Sequence, residues 1–141
     1  MPRAGPGRAG PGRRYPARVR SVWVGAAGFL GAVARYQLDG LISRHAEGPF
    51  PWGTFVVNLS GCFVLGLLST LLIDRLVADS ALRTALTVGF LGAYTTFSTF
   101  TLQGVRLADD GAVALAITYV ATSVVLGLLA AWAGMTVGRA I

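Results

Sequence analysis

The sequence predicts an all-α protein, a compact bundle of four membrane-spanning helices, and three observations carry that prediction. Over 141 positions 54% of the residues are hydrophobic and only 13% charged. The mean hydropathy of +0.64 is well above what a soluble domain needs to fill its core. The apolar residues fall into four runs, at about 21–43, 54–76, 84–103 and 112–137. Each is near the roughly 20 residues that cross about 30 Å of hydrocarbon at about 1.5 Å per residue. The links between them, "RHAEGPFPWG", "DRLVADSALR" and "GVRLADDG", hold the turn-forming residues and most of the remaining charge. Links this short make successive helices antiparallel neighbours.

Residues 1–20 are Pro, Gly, Ala and Arg with one aromatic, a composition too poor in apolar surface to order itself, and are expected to form a disordered cytoplasmic tail. Residues 21–141 form the single membrane domain. A basic leader before "SVWVGAAGFLGAVA" also has the look of a signal peptide, with "AVA" at 32–34 and the Arg13-Arg14 pair. Against cleavage, the apolar stretch resumes after Arg35 and three further runs follow. Trp23 and Trp52 stand at helix starts, where an indole sits well at the membrane interface. All twelve basic residues are Arg, six of them within the first twenty positions. The basic pI is thus mostly a property of the tail, and no folded polar face supports a nucleic-acid partner. The single cysteine, Cys62, forms no internal disulfide, and one Cys with one His leaves few zinc-ligand spacings open.

Polar groups inside the apolar runs are few, and each is a functional candidate because it needs a partner or a cavity in lipid. Arg35 and Asp39 lie four apart on one helix face. They either neutralise one another or leave Arg35 to set a positive potential at the mouth of an anion route. Asn58 is followed at i+3 and i+4 by Gly61 and Cys62, small residues that let another helix approach the amide. It serves either as interhelical glue or as an uncharged N–H donor for a passing anion. The third run holds "GFLGAYTTFSTF" at 89–100. Phe97 and Phe100 share a face, as do Thr95 and Thr99. Phenyl edges are weakly electropositive and hold an anion without a formal charge. Gly89 and Gly92 weaken helical order just before the hydroxyls, and a break there frees backbone carbonyls that need protein, water or a cation. Thr96, Ser98 and Thr99 are left between pore lining and bonding back to their own helix. In the fourth run Tyr119 and Ser123 are four apart, forming a hydroxyl strip beside a pore or bonding within the bundle. Gly134-x-x-x-Gly138 marks close helix packing.

Four segments in order, "GAVARY" at 31–36, "PWGTFVVNLSGCFVLG" at 51–66, "GFLGAYTTFSTF" at 89–100 and "YVATSVVLGLLAAWAG" at 119–134, resemble the Fluc/CrcB family of bacterial fluoride channels. The resemblance covers the chain from residue 21 onward. It implies an inverted, dual-topology dimer of four-helix subunits with two pores and a broken third helix, embedded in the bacterial plasma membrane. It further implies a fluoride pathway through Asn58, Phe97 and Phe100, continued by Tyr119 and Ser123. A structural sodium ion is implied on the dimer axis, held by the backbone carbonyls of Gly92 and Thr95. The implied mechanism is passive fluoride export that protects the cell, with fluoride, lipid and a second subunit as partners.

The chain contains no P-loop and no credible nucleophile and base pair, so an enzyme is not expected. A small multidrug-type exporter needs a membrane-embedded carboxylate, yet the only glutamate, Glu47, lies in a link. A non-conducting membrane subunit is the third alternative. Arginines number nine on the side of the tail, second link and C-terminus, against Arg44 and Arg106 on the other. By the positive-inside rule this bias predicts a cytoplasmic N-terminus. Without the tail the tally is three against two, close to balanced, so the second subunit is either another copy inserted the other way or, where the tail fixes the orientation, an oppositely oriented paralogue.

Overall fold

A computed structural model describes residues 16–72 and 80–141; the proposed tail up to residue 15 and the end of the second run at 73–76 lie outside them. The first helix, α1 (Ala17–His45), begins after Pro16, a residue that cannot continue a helix backward but suits its start. The last four residues of the expected tail, 17–20, are therefore helical. The helix α2 (Trp52–Leu71) follows a short turn, with Pro51 at its N-cap and Gly48 at φ 84°, a conformation that favours glycine. The third run is composite. It comprises α3 (Ser80–Thr84), a π-helical stretch (Ala85–Leu91), α4 (Gly92–Tyr94) and α5 (Phe97–Asp109), separated by an extended pair, Thr95 at ψ 156° and Thr96 at ψ 116°. A second left-handed glycine, Gly111 at φ 82°, turns the chain into α6 (Val113–Ala140).

The helices pack through small residues that bring backbones together. A side chain added at Gly66 would collide with the carbonyl of Ala131, and one at Gly134 with that of Phe63. One at Gly138 would lie 3.0 Å from the Leu67 carbonyl. These contacts run in the same sense along both chains, so α2 and α6 are parallel, and the Gly134–Gly138 spacing does what close helix packing in lipid requires. On the other side of the bundle α1 meets the third run. Gly31 faces the Phe90 carbonyl, and Gly89 lies against the Val24 carbonyl. One apolar cluster joins Val57, Leu91 and Tyr94 with Leu38 and Phe90. A second joins Phe100, Leu107, Ala116 and Tyr119 with Phe50 and Phe55.

Much of the outer surface is apolar. Phe29, Val88, Leu128 and Trp132 are each more than 60% exposed, which suits a surrounding of lipid or another subunit rather than water. Among the described residues two helices, α2 and α6, are long and apolar enough on their own to cross a membrane. α1 has the length but carries Arg35, Asp39 and Arg44, and the third run is interrupted, so neither reads as a simple span.

Candidate functional site

The break at Thr95–Thr96 organises the site. In an unbroken helix the Thr96 N–H would bond the Gly92 carbonyl; here it bonds the Asn58 Oδ1 at 2.8 Å, while Asn58 Nδ2 donates to the Thr96 carbonyl at 3.1 Å. The amide of Asn58 thus mimics a peptide unit and holds both backbone groups of one residue. Gly61, one turn on, lies against the Thr95 methyl, so the small-residue face seen in the sequence is what lets Asn58 reach the break. Thr96 then starts α5 as its N-cap, accepting from Thr99 N at 3.2 Å and donating to Thr99 Oγ1 at 3.0 Å, the role for which a threonine at that position is suited. Thr95 Oγ1 bonds back to the Leu91 carbonyl at 3.0 Å. Of the ambiguous hydroxyls, Thr96 and Thr99 are thereby engaged in capping, and Ser98 lies 3.5 Å from Thr96 Oγ1.

The glycines act differently from the expectation. Gly89 lies within the π-helical stretch and Gly92 in α4, so the helix is not broken at either. Gly89 serves the close approach to α1, and the break falls where the Asn58 side-chain amide competes for the backbone. Its carbonyls have distinct fates. Ala93 O accepts from Arg35 Nε at 3.2 Å. Thr95 N goes to Leu91, Thr96 N to Asn58 and Thr99 N to Thr96 Oγ1, so the Gly92 and Thr95 carbonyls accept no hydrogen bond from the described residues. Asp39 instead accepts from Ser43 at 3.1 Å, so Arg35 and Asp39 each find a different partner.

Asn58, Gly92, Thr95, Thr96, Phe97 and Phe100 line a cleft of about 270 Å³ between α2 and the third run, with Cys62 also in its wall. Gly92 is exposed there. The two phenyl rings lie 5.8 Å apart and inclined at 45°, yet their settings differ: Phe97 is 77% exposed and Phe100 8%. The break places Phe97 at the first turn of α5, facing outward, while Phe100 turns in against Tyr119, ring to ring at 5.2 Å. Tyr119 and Ser123 are therefore not walls of the cleft. Tyr119 is fully buried behind Phe100, and its hydroxyl donates to Gln103 Oε1 at 3.0 Å. The Ser123 hydroxyl is buried without a partner among the described residues.

Two residues overlooked in the sequence join this region. Thr54, 1% exposed, also buries a hydroxyl without a partner; its spacing of four from Asn58 was the available signal. Gln103, the one amide of the third run, holds Tyr119. Chemically, Asn58 keeps one N–H beyond its bond to Thr96. The phenyl rings offer edges, and the break offers two carbonyl oxygens without hydrogen bonds, so groups suited to an anion and to a cation come from a few residues around one cleft. Among the described residues no group of three or more His, Cys, Asp and Glu side chains gathers to hold a metal.

Comparison with known proteins supplies the family. The profile of the CrcB-like protein family, Camphor Resistance (CrcB), matches residues 22–135. A fluoride-specific ion channel FluC of Acidobacterium capsulatum is 43% identical over 123 residues, 87% of this chain and 98% of that protein. A fluoride-specific ion channel FluC of Magnetococcus marinus is 46% identical over 119 residues, 84% of this chain and 97% of that one. One of Pseudomonas putida is 45% identical over 116 residues, covering 82% and 94%. The matched stretch runs from the first turns of α1 through the break to the last turns of α6, and on that ground the chain belongs to the CrcB-like family.

Proposed function

We propose that this protein is a fluoride-selective channel of the bacterial plasma membrane that exports fluoride passively and so protects the cell from it. The observation that carries the reading is the Asn58-braced break with Phe97 and Phe100 directly after it, in a chain 43% identical to a fluoride-specific ion channel. Fluoride is small and strongly hydrated. Exchanging its water for one amide N–H, hydroxyls and phenyl edges gives binding firm enough for entry and weak enough for release. Asn58, Phe97 and Phe100 form the pathway at the cleft, and Tyr119 and Ser123 continue it behind Phe100. Thr54 and Gln103 stand beside that track.

A sodium ion at the Gly92 and Thr95 carbonyls fits the residues present. Sodium is a hard cation that takes oxygen ligands, and unwound backbone carbonyls are the form such ligands take at membrane depth. When bound, it supplies positive charge that satisfies carbonyls the break leaves without hydrogen bonds. Two carbonyls from one chain are too few for a full shell. A second subunit related by a two-fold axis would double them, which supports an inverted dimer meeting across the cleft. The charge distribution bears on the partner. Arg18, Arg20, Arg83 and Arg139 stand at one end of the bundle, whereas Arg44 and Arg106 share the other with Glu47, Asp109 and Asp110. This bias favours one orientation with the N-terminus inside, and with it a heterodimer with an oppositely oriented paralogue.

Fluoride release from liposomes containing the purified protein tests the reading, with Phe100→Ile and Asn58→Ala alongside. Electrode-detected efflux that either substitution abolishes supports it. Efflux absent with this chain both alone and beside an oppositely oriented paralogue refutes it.

A further inference from the structure

Arg35 is the only charged side chain that reaches the break among the hydrogen bonds of the described residues. It reaches it because α1 carries Gly28 and Gly31 against the Gly89 and Phe90 carbonyls. α1 and the third run then advance together, so that one turn beyond Gly31 the guanidinium arrives at Ala93. The Ala93 carbonyl would otherwise pair with Phe97 N, which the break has carried into the first turn of α5, where amides have no partner within their helix. A bond from a charged donor is about twice as strong as a neutral one, and in a half-buried, apolar setting it fixes the orientation of the peptide that accepts it.

That peptide lies between the two carbonyls assigned to sodium. Successive residues of a helix are set about 100° apart around its axis, so with Ala93 O tied to α1 its neighbour Gly92 lies round the axis, in the wall of the cleft. Asn58 accepts from Thr96 N, which shares a peptide unit with Thr95 O, and so fixes that unit directly while also holding the Thr96 carbonyl. We propose that Arg35 is the positioning residue of the cation site: it does not touch the ion but holds the break in the shape that presents Gly92 O and Thr95 O together. This rests on the sodium reading above. It gives Arg35 a task distinct from neutralising Asp39 or attracting anions to a pore mouth.

The test is a sodium titration of the purified full-length protein in detergent, read as thermal unfolding temperature, with N-methylglucamine chloride keeping ionic strength constant. The wild type is compared with Arg35→Lys, which keeps a charged donor, Arg35→Gln, which keeps a shorter neutral one, and Arg35→Ala. The sodium concentration for half-maximal stabilisation should rise at least about tenfold in Arg35→Ala, the loss of one charge-assisted hydrogen bond. It should rise least in Arg35→Lys. Where Arg35→Ala gives no folded protein, the rise in Arg35→Gln over Arg35→Lys serves the same purpose. A lower melting temperature with an unchanged sodium midpoint would mean that Arg35 is merely structural and would overturn the assignment. A wild type that melts identically in sodium and N-methylglucamine would overturn the cation reading itself, and this inference with it.

Discussion

Replacing Asn58 with alanine removes the clamp on the broken helix, and its cost follows from the two bonds the side chain makes. The Thr96 N–H and carbonyl lose partners at 2.8 and 3.1 Å in a half-buried place, where each unsatisfied backbone group costs about 1–3 kcal/mol. Asn58→Ala should therefore destabilise the region by about 2–6 kcal/mol. Asn58→Asp should not rescue it, because a carboxylate still accepts from Thr96 N but sets a second oxygen against the Thr96 carbonyl. Asn58→Gln keeps the amide but moves it by one methylene out of register, and should fall between wild type and alanine. The assay is the fraction of protein remaining monodisperse after heating in detergent, run beside fluoride efflux from liposomes. If Asn58→Ala lost flux yet kept wild-type heat resistance, Asn58 would be serving the anion alone and the peptide-mimic reasoning would be wrong.

The other expectations concern packing, rings and ions. Phe97→Ile and Phe100→Ile should both reduce fluoride efflux, but only Phe100→Ile should also lower thermal stability, since Phe100 is 8% exposed and Phe97 77%; equal stability losses would contradict the outward placement of Phe97. Gly31→Ala and Gly134→Ala should sharply lower the yield of monodisperse protein because the added Cβ meets a backbone carbonyl, whereas Gly25→Ala and Gly40→Ala, with nothing within 4 Å, should behave as wild type. Tyr119→Phe leaves the Gln103 amide without its partner while keeping the ring on Phe100. It should cost about 1 kcal/mol of stability and slow fluoride efflux, checked by the same heating and electrode assays. Replacing sodium by N-methylglucamine should lower the melting temperature of the wild type, and reversal on adding sodium back separates this from irreversible damage.

Much of this arrangement was legible in the sequence because it depends on local spacing. The Gly134–Gly138 pair found the backbone of α2 as a small-residue motif should, and Gly61 beside Asn58 marked the face on which the third run approaches. Phe97 and Phe100 were correctly placed as neighbours. What local rules could not give was the competition between elements. Propensity put the weak point at Gly89 and Gly92, but a helix breaks where its backbone groups have better partners. Those came from Asn58, 38 positions away, and from the Thr96 hydroxyl. The i, i+4 spacing of Arg35 and Asp39 suggested a pair on one helix face, yet a carbonyl released on the neighbouring helix outcompeted the carboxylate. Thr54 and Gln103 passed unnoticed because a lone hydroxyl or amide in an apolar run becomes informative only when its burial and its neighbours are known.

The central claim is that the break and its phenylalanines serve passage of fluoride. The most direct measurement is the electrode-detected release of fluoride, compared with chloride, from liposomes reconstituted with this chain alone and with an oppositely oriented partner subunit. The account predicts rapid fluoride release with chloride retained, lost in Phe100→Ile; if flux appears only with the partner, the paired form is the working channel. Equal release of both halides, or none under either condition, would contradict it.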